Sequence, residues 1–262
     1  MDITDLSPHA AHNREHWNDM ADEWVASGED SWARDTPKWG SWELPDQGIE
    51  LIPDDLSGQR AIELGCGTGY VSAWMARRGA EVVGIDVSDG QLATARRLAT
   101  EHDVDLTLIH GSAESVPEPD ASFDFAISEY GAALWCDPYV WIPEAARLLK
   151  PGGRLAFLTN HPLLQLCYPP DGDVADERLH RPYFGLHRLD WSQVEIDPGG
   201  IEFNLPISDW MRLFDDAGFD VDEFLELRAP DDIADDRYAM KADWAKRWPS
   251  EMAWKLTRTK SL

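Results

Sequence analysis

Apolar residues occur in two rhythms along the chain. Near-continuous runs of five to eight residues alternate with stretches in which they recur every three or four positions. From Arg60 the alternation is regular. RAIELGC (60–66), AEVVGIDV (80–87), DLTLIHGS (105–112), FDFAISEY (123–130) and RLAFLTN (154–160) have the length and composition of buried strands. Between them, YVSAWMARRG predicts a helix stopped by Gly79. Ser88 with Gln91 forms a capping box opening a helix towards His102. Ile142, Ala145, Ala146 and Leu149 mark a third helical face, ended by KPGG. Strands separated by helices imply right-handed crossovers and a doubly wound α/β sheet, largely parallel and covered on both faces.

The ends of the chain depart from this rhythm. Residues 1–56 are Trp-rich and acidic, and Trp17, Met20, Ala21 and Trp24 fall on one face of an expected helix. They predict a helical, aromatic cap, with the main domain over 57–262. Residues 161–205, rich in Pro, Gly, His and aromatics, predict an irregular lid over a substrate. SDWMRLFDDAGF then predicts a helix capped by Ser208 and ended by Gly218, and FDVDEFLEL and MAWKLTRT predict two closing strands.

Composition narrows the function. With 23 basic and 49 acidic residues the net charge is −26, which repels nucleic acid and anionic membranes. No apolar run approaches a membrane span. Cys66, Cys136 and Cys167 lack paired spacing, which suits a reducing cytoplasmic setting rather than a disulfide framework or zinc site. His180 and His187 do not make a metal cluster with neighbouring carboxylates, so no metal is expected.

The chemistry concentrates in IELGCGTGY. Gly65, Gly67 and Gly69 are spaced G-x-G-x-G, and Tyr70 occupies the third glycine position of a dinucleotide loop. Glu63 lies at the same strand end, where a carboxylate faces a pyrophosphate badly but suits an ammonium and a sulfonium. Asp86 ends the next strand, where an acid takes ribose hydroxyls.

IELGCGTGY, GIDVS, FDFAISEYGA and EAARLLKPGGRLAF, in this order over about residues 58–160, resemble the class I S-adenosylmethionine-dependent methyltransferases. The resemblance implies a Rossmann-like seven-stranded sheet, mostly parallel, with an antiparallel last strand. It implies that Glu63, Gly65, Cys66, Gly67 and Gly69 line the methionine moiety of S-adenosylmethionine, and that its product is S-adenosylhomocysteine. Asp86 would hold the ribose, and Val87 would lie against the adenine. Ser112, Ala113 and Glu114 would stand in the adenine-contacting slot, where the family usually has Asp. Glu129 would lie near the methyl group, and Trp17 and Trp24 would fold over the cofactor.

Methyl transfer from sulfonium is direct displacement, so positioning and water exclusion carry much of it. Glu129 and His161 are the expected base candidates, with His180 and His187 behind them. Trp135, Tyr168, Tyr183, Phe184 and Trp191 suggest a small apolar or aromatic methyl acceptor. A non-catalytic cofactor-binding or regulatory protein and a nicotinamide-dependent oxidoreductase remain as alternatives.

Overall fold

The computed structural model describes residues 6–196 and 198–259. Its centre is a seven-stranded sheet of β1 (Arg60–Leu64), β2 (Glu81–Asp86), β3 (Thr107–His110), β4 (Phe123–Glu129), β5 (Leu149–Asn160), β6 (Phe219–Leu227) and β7 (Glu251–Arg258). The spatial order is β6-β7-β5-β4-β1-β2-β3. β7 alone runs antiparallel to its neighbours, inserted between β5 and β6. The strands read as buried runs therefore form the sheet, in the arrangement the resemblance implied.

The two faces follow from the strand period of two. Ile62, Leu64 and Ala126 pack in one core with Trp141 of α6 (Pro138–Leu148) and Trp210 of α8 (Ile207–Asp216). Ala61, Phe125 and Ile127 point the other way, towards Trp74 of α3 (Tyr70–Arg77). Trp39, Trp42, Leu51 and Leu56 join this second core, so the N-terminal segment packs into the sheet's own interior. Trp42 Nε1 donates to Ser250 Oγ at 2.9 Å, just before β7.

Several local expectations change. The stripe through Trp17 and Trp24 is not one helix. α1 (Pro8–Asp19) ends before Met20, a 3-10 turn spans Ala21–Trp24, and α2 (Val25–Trp32) follows. α6 stops at Leu148, and KPGG lies inside β5 rather than in a terminating turn. α8 begins at Ile207 after Pro206, with no side-chain cap, so Ser208 lies inside the helix. The insert is partly ordered, with α7 (Pro162–Cys167) and a small hairpin pairing Arg188–Asp190 with Ile201–Phe203. Ser88 caps α4 (Asp89–Glu101) as expected, accepting from Gln91 N at 3.1 Å.

One backbone contact sets the sheet's active end. α5 (Gly131–Trp135) starts directly against the β1 loop. A Cβ on Gly65 would come within 2.6 Å of Gly131 Cα and 2.7 Å of Ala132 N, and one on Gly131 would strike the Leu64 and Gly65 carbonyls. Neither position has room for a side chain, and the obstacle is backbone that cannot swing aside. Gly131→Ala should lower the unfolding free energy by about 3 kcal/mol or more in urea titration, as overpacking does. Gly152→Ala, where an added Cβ meets nothing within 4 Å but φ is +80°, should lose only about 1 kcal/mol.

Candidate functional site

A cavity of about 510 Å³ opens at the carboxyl ends of β1, β2, β4 and β5, where doubly wound sheets bind ligands. Glu63, Gly65, Cys66 and Gly67 line it from the β1 loop, and Asp86 and Val87 line it from the end of β2. Ser112 and Ala113 contribute from the loop after β3, Glu129 from β4, and Trp17 and Trp24 from the N-terminal segment. Thus the structure brings together most of the residues singled out in the sequence.

The glycine loop is built for tight turns. Gly65, Gly67 and Gly69 have φ of +79°, +50° and +78°, all left-handed. Gly69 is the N-cap of α3 and lies behind the loop rather than in the cavity wall. With no side chain at the cap, α3 takes its anion from Glu63. Ser72 N and Ser72 Oγ both donate to Glu63 Oε2, at 2.7 and 2.5 Å. The carboxylate meets the positive end of the helix and satisfies one of its free N–H groups. Burial still pushes the Glu63 carboxyl well above the usual carboxylate range. Asp86 holds the loop itself, Oδ2 accepting from Gly67 N and Oδ1 from Ser88 N, each at 2.8 Å.

Tyr70, in the position of the missing third glycine, sends its hydroxyl to Glu129 Oε2. Glu129 Oε1 accepts from Gly40 N at 2.9 Å. The next amide, Ser41 N, donates to a different carboxylate, Glu251 Oε1, at 2.6 Å. Tyr130 OH also donates to Glu251 Oε1, and Ser41 Oγ lies 3.0 Å from that hydroxyl. Glu251 is fully buried, and burial lifts its carboxyl from the usual 4.5 to about 7. Gly40, Ser41 and Glu251 carried no sequence signal. They meet only because a turn of the N-terminal segment reaches β7.

Aromatic rings close the cavity. Trp17 packs edge-on against Trp135 of α5 and Trp24, with centroids 5.1 and 5.6 Å apart. Trp24 stacks parallel on Tyr238, and Tyr168 lines the wall from the insert. Of the other aromatics expected over the acceptor, Tyr183, Phe184 and Trp191 do not line it, and Phe184 is 82% exposed.

Four expected residues are turned to other tasks. His161 does not line the cavity. Its Nδ1 accepts from Leu163 N at 3.0 Å, capping α7, and its Nε2 faces Glu226 at 3.1 Å. Glu114 turns towards the N-terminal segment, meeting His9 at 2.5 Å and Ser7 Oγ at 3.1 Å. It also accepts from Asp137 N at 2.8 Å, and it does not line the cavity. His180 and His187 pair with Asp176 and Asp137, each at 2.9 Å.

A doubly wound sheet with a β7 insertion, a glycine loop and an acid at the end of β2 defines a nucleoside-cofactor protein. A family model described as a methyltransferase domain matches residues 62–157. The ubiquinone biosynthesis O-methyltransferase of Idiomarina loihiensis is 30% identical over 200 residues, which is 70% of this chain and 80% of that protein. That of Ruegeria pomeroyi is 37% identical over 98 residues, covering 37% of this chain and 40% of its own length. The chain spans about two fifths of the length of several curated relatives it matches. A solved S-adenosylmethionine-dependent methyltransferase from Mesorhizobium loti superposes with a TM-score of 0.64 at 23% identity, over 80% of this chain and 95% of that one. The chain belongs to the class I S-adenosylmethionine-dependent methyltransferases.

The raised Glu251 carboxyl has a consequence for stability. Between pH 4.5 and 7 the folded chain keeps a proton that the unfolded chain releases, so this group's contribution falls as pH rises through that window. Glu251→Gln removes the effect. The difference in unfolding free energy between variant and parent should move by about 3 kcal/mol in favour of the variant from pH 4.5 to 7.5. Above that it should stay constant, as read from urea titrations at each pH.

Proposed function

We propose that this chain transfers the methyl group of S-adenosylmethionine to a small, apolar or aromatic acceptor. One observation carries the reading. The glycine loop is surrounded by the carboxylates Glu63, Asp86 and Glu129, and among the described residues no Lys or Arg bonds to any of the three. Such a wall fits a cofactor with an ammonium and a sulfonium and does not fit a pyrophosphate. The fit extends to shape. A Cβ on Gly67 would meet nothing nearer than Gln91 Oε1 at 3.9 Å, so the loop leaves open space on that side.

In this reading Asp86 takes the ribose hydroxyls. Each of its oxygens accepts one backbone N–H and retains a second lone pair. Val87, Ser112 and Ala113 enclose the base. Glu63 and Glu129 face the amino-acid end, with Arg34 and Lys38 at the same cavity for its carboxylate. Bound there, S-adenosylmethionine supplies an electrophilic methyl carbon on a positively charged sulfur. The chain's own work is to align the acceptor and to exclude water. Trp17, Trp24, Trp135, Tyr168 and Tyr238 give the acceptor side a largely aromatic wall. The relatives named for O-methylation in ubiquinone biosynthesis support a small-molecule acceptor and an oxygen nucleophile.

The reading also takes the protein to act in the cytoplasm on a free small molecule rather than on nucleic acid. The excess of 49 acidic over 23 basic residues supports this. Among the described residues no helix is long and apolar enough to cross a membrane.

Incubation with methyl-labelled cofactor and a metabolite extract, followed by mass spectrometry, tests the reaction. A labelled small molecule is the expected result. Calorimetry tests the cofactor. S-adenosylmethionine and S-adenosylhomocysteine should both bind, and Asp86→Ala should weaken both at least tenfold, about 1.4 kcal/mol. Failure of the folded chain to bind either sinks the reading.

A further inference from the structure

We propose that Tyr130 and Glu251 form a proton relay, Tyr130 taking the proton that a protic acceptor sheds and passing its own to Glu251. The inference rests on the methyl-transfer reading above and adds the acceptor class, an O–H or N–H nucleophile rather than a thioether or a carbon without a labile proton.

Tyr130 and Ser41 line the cavity, and Glu251 lies behind them, fully buried. Tyr130 OH donates to Glu251 Oε1, while Glu251 Oε2 is buried with no hydrogen-bond partner. Among the described residues no Lys, Arg or His pairs with this carboxyl. A buried carboxyl without a cation is costly, and a cost of that kind marks a group with a task. Its connection to the cavity runs through two hydroxyls, Tyr130 Oη and Ser41 Oγ, which are 3.0 Å apart.

Two backbone features hold this arrangement at a cost. Tyr130 has φ +56°, a left-handed conformation that an aromatic residue rarely adopts, directly after β4. Gly40 has φ +71°, and a Cβ there would strike the Glu251 carboxylate. Only glycine at that turn lets Ser41 N reach Glu251 Oε1. The charged and titratable groups around the pair are Glu129 at the end of β4, Tyr70 of α3, and Arg237 and Tyr238 of the 228–240 segment. Arg237 is engaged elsewhere, donating to Ser41 O and facing Glu43 at 3.6 Å. On the outer side Glu226 of β6 faces His161.

The step balances. As the acceptor atom bonds to the methyl carbon and the methyl–sulfur bond breaks, the acceptor's X–H bond breaks and its proton moves to Tyr130 Oη. The hydroxyl proton of Tyr130 moves to Glu251 Oε1, turning carboxylate into carboxylic acid. After product leaves, the same path returns the proton to water in the cavity. No oxidant, metal or further co-reactant is required.

Two arms test the relay. The first needs no acceptor. Infrared titration of the full chain should show a protonated-carboxyl stretch that disappears as pH rises through neutrality. It should be missing in Glu251→Gln and displaced in frequency in Tyr130→Phe. No such band, or one unmoved by Tyr130→Phe, overturns the proposal. The second uses the acceptor recovered by labelling. Glu251→Gln and Tyr130→Phe should each lower kcat at least a hundredfold, with S-adenosylhomocysteine affinity changed less than threefold. Glu251→Gln should also abolish the acid limb of the kcat–pH profile. A retained limb, or a kcat within threefold of the parent, overturns it. Loss of S-adenosylhomocysteine binding by the parent chain would refute the methyl-transfer reading instead, while the infrared result would still judge the pair.

Discussion

Two consecutive backbone amides tie the molecule together. Gly40 N and Ser41 N donate to Glu129 and Glu251, carboxylates that arrive from β4 and β7. A buried carboxylate must find donors or give up its charge. Here neutral groups supply them, two peptide N–H groups and two tyrosine hydroxyls. Without cations the carboxyls stay raised above their usual range. The turn that supplies the amides is fixed in turn by Trp39 and Trp42, both buried under the sheet. The hydrophobic burial of those indoles thus positions the polar wall of the cavity, whose carboxylates lie 89 and 210 residues from Gly40 and Ser41 in sequence.

This dependence explains what the sequence shows and what it does not. The inner strands are legible because strands buried on both faces need continuous apolar runs, as AIEL, VVGI and FAIS supply, while the edge strands β3 and β6 are only partly buried. Asp86 and the glycines are legible because their roles depend on a local loop geometry. Glu251 is not, because nothing near it in sequence distinguishes it from the exposed acids of the same chain. Its meaning comes from strand order, which puts β7 beside β5 and opposite the N-terminal turn. His161 fails for the opposite reason. A histidine just past a strand end has the sequence position of a base, yet Pro162 starts a helix and the imidazole is taken up as its cap. Glu114 sits in the right loop, but His9 and Ser7 of the N-terminal segment draw its side chain away.

The N-terminal segment is therefore more than a cover. Trp32 donates from Nε1 to Thr68 O, inside the glycine loop, at 2.8 Å. Asn18 accepts from Ser88 Oγ at 2.8 Å, at the cap of α4 beside Asp86. Asn13 bonds to the Trp135 and Ile201 carbonyls at 3.1 and 2.9 Å, joining α5 to the insert hairpin. Each wall of the cavity is thus bonded to residues 6–56. Removing that segment would leave buried polar groups of the loop, α4 and β7 without partners, and not merely open a lid.

The same economy governs the loop's two acids. Glu63 caps α3, and Asp86 bonds the Gly67 amide, so both support the turn whether or not a ligand is present. A carboxylate oxygen has lone pairs beyond the one that each backbone donor uses. The acids can therefore hold the loop and still face a cationic, hydroxyl-bearing ligand, with no rearrangement between the two tasks. A pyrophosphate would push these raised carboxyls higher still, whereas an ammonium or a sulfonium favours their charged form. Tyr70 completes the argument. Where a dinucleotide loop needs a third glycine for close helix–strand packing, this chain has a phenol whose hydroxyl reaches Glu129. The substitution that breaks the phosphate-binding pattern also helps build the wall of the cavity.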